Sequence, residues 1–304
     1  MASRSIRIET LSSARTDDDL VALPGGPFRM GSDRHYPEEA PERSAAVDPF
    51  RIERTPVTNR AFAAFVAETG YVTVAERQPE AADYPDADPS LLKPGSSVFT
   101  PPRGEVDLAQ PRQWWRFVVG ANWRHPLGPG SSLDGLDDHP VVHVAYEDAL
   151  AYARWRGRDL PSEAQWEYAA WGGVEGRDFP WGDELSPGGR RMANTWIGRF
   201  PHPPKGSSRR VRTTQVGVFP PNGFGLFDMI GNVWEWTHDL WSRPAAANPC
   251  CTPGARPALP RRVVKGGSHL CAPSYCRRYR PAARQPQEID TATTHVGFRC
   301  VSST

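Results

Sequence analysis

The sequence has no apolar run approaching the roughly 20 residues that cross a bilayer. Its start, Met1-Ala2-Ser3-Arg4-Ser5-Ile6-Arg7, lacks the apolar core of a secretory signal. Both absences point to a soluble, cytoplasmic protein without a membrane partner. Surplus charge is missing too: 36 Lys+Arg stand against 35 Asp+Glu, a net of +1. So close a balance gives no global electrostatic reason to bind nucleic acid or an anionic surface. Cysteine is scarce and odd in number, five among 304 residues. These five do not all pair with one another, and in a reducing compartment they read as thiols, metal ligands or catalytic groups.

Turn formers and tryptophan are abundant. The 32 prolines and 27 glycines argue for many turns, and the 11 tryptophans supply large buried area to hold them together. No internal repeat or linker is evident. The expectation is one compact, loop-rich domain behind a polar, flexible N-terminus at residues 1–18. Val21-Ala22-Leu23 reads as a short strand running into a turn. Thr58 or Asn59 caps a helix from Arg60 to Thr69, with Phe62, Phe65 and Val66 on one face and Gly70 as its stop. Residues 78–112 read as a long irregular excursion. Val141-Val142-His143-Val144 has the composition of a strand, and Glu147 to Arg156 that of a helix closed by Gly157. Ser162 and Gln165 form a capping box that opens a helix ending at Gly172. Beyond it turns dominate, with surface loops at 202–212 and 244–260.

Chemistry concentrates near the C-terminus, in Gly266-Gly267-Ser268-His269-Leu270-Cys271-Ala272-Pro273-Ser274-Tyr275-Cys276-Arg277-Arg278-Tyr279-Arg280. Positions five apart do not share a face in a strand or a helix, but Pro273 breaks both and a bent loop can join the two sulfurs. Cys271 and Cys276 are then buried bystanders, a disulfide, or a two-thiolate site for a soft ion such as Cu(I). Zinc wants four ligands, and no second pair stands nearby. His139, His143 and Glu147 mimic a metal-ligand spacing, but Pro140 and the strand-like run between them favour structural roles. Asp228, Gly231, Val233 and Glu235 flank a glycine turn; they either wrap a hard ion such as Ca²⁺ or cap backbone amides. Cys250 and Cys251 read as exposed thiols, and Cys300 as a buried one after the last strand.

These residues resemble the formylglycine-generating enzymes, or sulfatase-modifying factors. The likeness runs from about residue 20 to the end. It takes in Pro24-Gly25-Gly26-Pro27-Phe28-Arg29-Met30-Gly31-Ser32, Leu160-Pro161-Ser162-Glu163-Ala164-Gln165-Trp166-Glu167-Tyr168, Gly231-Asn232-Val233-Trp234-Glu235-Trp236 and Gly297-Phe298-Arg299-Cys300. The scaffold motifs belong to a broader superfamily, whereas the Cys-x4-Cys run is specific to its copper enzymes.

The resemblance implies a single irregular α+β domain over residues 19–304, similar to C-type lectins, and a monomer. It implies an oxidase that uses Cu(I) and O₂ to convert the cysteine of a Cys-x-Pro-x-Arg motif in an unfolded sulfatase into Cα-formylglycine. Cys271 and Cys276 match the copper thiols, and the substrate thiolate is a third sulfur. Ser268 and Tyr275 match positions lining the oxygen and substrate pocket. Asp228, Gly231, Val233 and Glu235 fall on one family calcium site. A second calcium site begins at Asn194 and Thr195, but an ungapped carry-over puts Ser208 and Arg210 where the family has an aspartate and a hydrophobic residue. Ala170 and Pro281 stand where eukaryotic relatives have structural cysteines. Two other readings stay open: an oxidase of a different cysteine peptide on the same scaffold, and a non-catalytic lectin-like binding module.

Overall fold

Frequent turns keep the elements short, and the longest helix described has 11 residues. The computed structural model describes residues 17–85, 88–204, 212–242 and 260–303. In chain order the strands and helices are β1 (Leu20–Leu23), β2 (Gly26–Met30), β3 (Arg43–Val47), β4 (Phe50–Glu53), α1 (Asn59–Thr69), β5 (Gly95–Phe99) and β6 (Trp115–Val119). Then follow α2 (Tyr146–Trp155), α3 (Glu163–Trp171), β7 (Trp234–Leu240), β8 (Arg261–Lys265), β9 (Arg284–Glu288), β10 (Val296–Gly297) and β11 (Val301–Ser303). The strands form a three-stranded sheet β1-β4-β11, a four-stranded sheet β10-β7-β8-β9, and the pairs β2-β3 and β5-β6. This is an α+β fold.

Local chemistry sets the helices. The Thr58 hydroxyl accepts from Ala61 N at 3.3 Å and Gly70 leaves α1 at φ 68°, a left-handed turn. The Ser162–Gln165 box is closed from both sides at α3, at 2.9 and 3.1 Å. Phe62 of α1 packs against Trp123, Tyr152 and Phe298, with ring centroids 5.2, 5.9 and 6.4 Å apart. This aromatic core joins α1 and α2 to the C-terminal run.

That run stitches the sheets together. β10 lies parallel to β7, and β11 pairs with β4 in the N-terminal sheet. Between them Arg299, fully buried, donates to both carboxylate oxygens of Glu235 at 2.7 and 2.8 Å and to the Glu53 carbonyl at 3.1 Å. Cys300 is buried as expected, but β11 follows it, so it does not close the last strand.

Three readings need correction. Val141–Val144 is not a strand: His143 has φ 60°, Val141 N donates to Val57 O, and His143 N donates to Thr293 O. Its β-branched composition reflects burial on every side rather than a ladder. The excursion at 78–112 contains β5, paired in register with β6. The turn-rich stretch after Gly172 contains β7, the four-stranded sheet's second strand in order. Asp17–Asp19 form a short 3₁₀ turn across the end of the expected flexible N-terminus; the rest of that N-terminus, most of the expected loops at 202–212 and 244–260, and Cys250, Cys251, Ser208 and Arg210 lie outside the described residues. Among those described, no helix is long and apolar enough to cross a membrane.

Candidate active site

The loop carrying the cysteine pair leaves β8 through Gly266 and Gly267, at φ 93° and 73°. A Cβ on Gly267 would lie 2.6 Å from the Arg278 carbonyl, so glycine is what lets the outgoing and returning halves touch. Between them Cys276 N donates to Ala272 O at 2.9 Å, closing a single α-turn that begins beside Pro273. That turn brings the Cys271 and Cys276 sulfurs to 3.3 Å. A disulfide spans about 2.05 Å, and both residues are free thiols.

The two sulfurs differ. Cys271 is buried, and burial with its hydrogen bond to Cys276 pushes its thiol well above the ordinary range. Cys276 is half-buried and pushed down to about 6, first by the hydrogen bond from Cys271 and then by Arg278. Near neutral pH the pair therefore holds one negative charge, with the Cys271 S–H donating to the Cys276 thiolate. Ser268 N donates to the Cys271 sulfur at 3.4 Å. A thiol–thiolate pair of this kind fits a soft monovalent ion. Among the described residues no group of three or more His, Cys, Asp or Glu side chains is placed to hold a metal. A four-ligand zinc cage from these residues alone is therefore not formed there.

Ser268 is wholly buried, its hydroxyl accepting from Leu270 N at 3.2 Å. Tyr275 is exposed, its ring stacked on Phe200 at 4.5 Å and set edge-on to Trp114 at 5.6 Å. Phe99, Trp196, Leu270 and Ala272 complete this apolar wall. Trp114 and Phe200 were not legible as site residues; the only hint was the excess of tryptophan.

Two clefts open onto His269, two positions before Cys271. One of about 900 Å³ is lined by Asn194, Trp196 and Phe219 among others, and one of about 650 Å³ by Phe99, Leu127 and Thr294; they share Arg212, Thr213 and His269. The sulfurs line neither. The clefts approach them through Trp196, whose backbone N donates to Cys271 O at 3.0 Å, and through His269. Burial pushes His143 and His269 down to about 4 and His295 to about 3, so all three rings are neutral. His139, His143 and Glu147 diverge: they meet Thr213, Ser96 and Arg77 respectively.

The first candidate calcium loop is tightly curled, with φ 54°, 76° and 60° at Asp228, Gly231 and Asn232. Asp228 accepts from Gly217 N at 2.8 Å, and burial raises its carboxyl to about 6, a charge that a hard cation would stabilise. Glu235 accepts twice from Arg299 and once from Trp166, at 2.8 Å. A carboxylate has about four lone-pair sites, so one remains. This set fits Ca²⁺, with Asp228 as its principal anion. The second set is partly engaged within the protein. The Thr195 carbonyl already accepts from the Arg191 guanidinium at 3.0 Å, and Asn194 turns its amide nitrogen toward Arg212 O and Asn232 Oδ1.

Comparison with known proteins points to one family. The chain is 57% identical over 295 residues to a protein of Mycobacterium tuberculosis named formylglycine-generating enzyme, covering 93% of this chain and 97% of that one. It is 45% identical over 292 residues to a protein of the same name from Thermomonospora curvata, covering 93% of each. The solved structure of PvdO from Pseudomonas aeruginosa shares the fold, with a TM-score of 0.59, 24% identity and 94% of each chain covered. The model of the sulfatase-modifying factor enzyme 1-like domain matches residues 8–304, and the chain belongs to that family.

Proposed function

We propose that this protein oxidises the cysteine of a Cys-x-Pro-x-Arg segment in an unfolded sulfatase to Cα-formylglycine, with Cu(I) held by Cys271 and Cys276 and O₂ as oxidant. The observation that carries the reading is the pair of free cysteine sulfurs 3.3 Å apart. Copper, when bound, supplies the one-electron steps that let a closed-shell thiolate react with triplet O₂.

The chain's own residues do the rest. Cys276 presents a thiolate near neutral pH and Cys271 holds the shared proton. The Trp114–Phe200–Tyr275 wall excludes water beside the sulfurs, and the Tyr275 hydroxyl stands ready as a donor to an oxygen species. The clefts receive the extended peptide. Asp228, Gly231, Val233 and Glu235 hold a structural Ca²⁺. A reducing cytoplasm suits the reading, since all three described cysteines are free, and a monomer suffices because one chain supplies both thiols.

The test is to incubate copper-loaded protein with a Cys-x-Pro-x-Arg peptide under air. The expected product has the mass of CHO in place of CH₂SH, two electrons passing to O₂, the sulfur leaving as sulfide and water supplying the aldehyde oxygen, and Cys271→Ser or Cys276→Ser abolishes it. A peptide unchanged in mass rejects the proposal.

A further inference from the structure

We propose that Tyr36 and Glu38 are positioning residues for the metal-holding thiol of Cys276, acting through Arg278. The inference rests on the copper reading above. It concerns a segment some 240 positions earlier in the chain, which the cysteine loop's own sequence does not reveal.

The geometry is a clamp on a fixed base. Residues Pro37–Glu39 form a 3₁₀ turn. Glu39 anchors it, accepting from both terminal nitrogens of Arg280 at 2.7 and 2.6 Å; both side chains are buried. Arg280 Nε also donates to the Arg277 carbonyl at 3.0 Å, tying the returning half of the cysteine loop to the same base. On that base Glu38 Oε1 accepts from Nε and Nη2 of Arg278 at 3.0 and 2.5 Å. The Tyr36 ring lies 3.9 Å from the Arg278 guanidinium carbon, on its other side-chain contact. The Tyr36 hydroxyl accepts from Arg277 N at 3.3 Å. Arg278 in turn stands two positions beyond Cys276, and its backbone N–H and guanidinium both help to hold that thiol below its ordinary range.

The pair Arg278–Glu38 keeps 24% and 22% of its side-chain surface exposed. A partly buried, partly screened ion pair of this kind contributes only modestly to folding. Its effect is to remove freedom from a long arginine that has several rotamers otherwise. The ring and the carboxylate together restrict where the guanidinium can be, on a side chain two positions beyond Cys276. Partners of this kind, once removed from a metal ligand, change metal affinity by about 10–100-fold.

The experiment uses the full chain and Cu(I) alone, titrated against a chelator of known affinity. Glu38→Gln and Tyr36→Leu each weaken Cu(I) binding by about 10–100-fold, while the thermal midpoint of the metal-free protein stays at its wild-type value. Tyr36→Phe, which keeps the ring, retains most of the affinity. In metal-free protein the same two variants speed amide exchange across Cys276–Arg280 and nowhere else. Equal Cu(I) affinity in wild type and both variants overturns the clamp. Failure of the wild type itself to bind Cu(I), or binding undiminished in Cys276→Ser, rejects the copper reading instead. The exchange measurement then decides the clamp alone, and unchanged exchange overturns it.

Discussion

The asymmetry between two sulfurs five positions apart is the most consequential feature at the scale of single residues. Cys276 is pushed down to about 6 and Cys271 is raised far above it, because Cys276 accepts the hydrogen bond from Cys271 and feels Arg278, while Cys271 is sunk in the core. Thiolate, not thiol, is the nucleophile. Iodoacetamide therefore labels Cys276 first, and its rate rises with a midpoint near pH 6 rather than the usual value of about 8.5. Peptide mapping of briefly alkylated, metal-free protein reads this directly. Equal labelling of the two cysteines, with a midpoint in the ordinary thiol range, would contradict the shared-proton pair. The spacing Cys-x4-Cys was legible in the sequence, and so was the bend at Pro273. The inequality was not, since it depends on what each sulfur packs against.

At the scale of elements, the wall beside the sulfurs comes from segments far apart in sequence. Trp114 and Phe200 meet Tyr275 because the β5-β6 pair carries Trp114 across to the C-terminal loop. Phe200→Ala removes the stacked partner of Tyr275 from a buried position, and comparable truncations cost about 3–5 kcal/mol. Urea denaturation checks the stability loss, and a rise in KM for the peptide is expected as Tyr275 loses its support. A loss below about 1 kcal/mol would mean that the wall is loosely packed. The caps at Thr58 and Ser162 were readable because they act within three residues. The β5 strand was not: Gly95-Ser96-Ser97-Val98-Phe99 has weak alternation, and its partner lies beyond a proline-rich stretch. The candidate calcium loops divide the same way. The family resemblance implied both, but only the coordinates place the Arg191 guanidinium on the Thr195 carbonyl. Calcium titration by calorimetry is therefore expected to saturate at a single equivalent, and a second equivalent of similar affinity would show that Arg191 yields its place.

For the molecule as a whole, pH dependence is set by buried groups that pull in opposite directions. His143 and His295 are depressed from 6.5 to about 4 and about 3 by burial. The folded chain then binds fewer protons than the unfolded chain, so the stability present above about pH 6.5 is lost as pH falls toward the folded values, about 2 kcal/mol for each ring at pH 5. Asp148 works the other way. It is buried, accepts from Ala145 N, Val74 N and Tyr71, and burial raises it from 3.8 to about 7. Its charge destabilises the fold above its unfolded value, so acidification from about pH 7.5 to about pH 5 returns about 2 kcal/mol. Asp228, raised to about 6, adds to that side. The wild-type profile is thus a partial cancellation, and single variants expose each half. With chelator present, His143→Asn flattens the acid side by about 2 kcal/mol relative to wild type, and Asp148→Asn steepens it by a similar amount. Urea midpoints at the two pH values give both differences. Profiles that run parallel to wild type in both variants would show that these buried groups do not govern the response to acid.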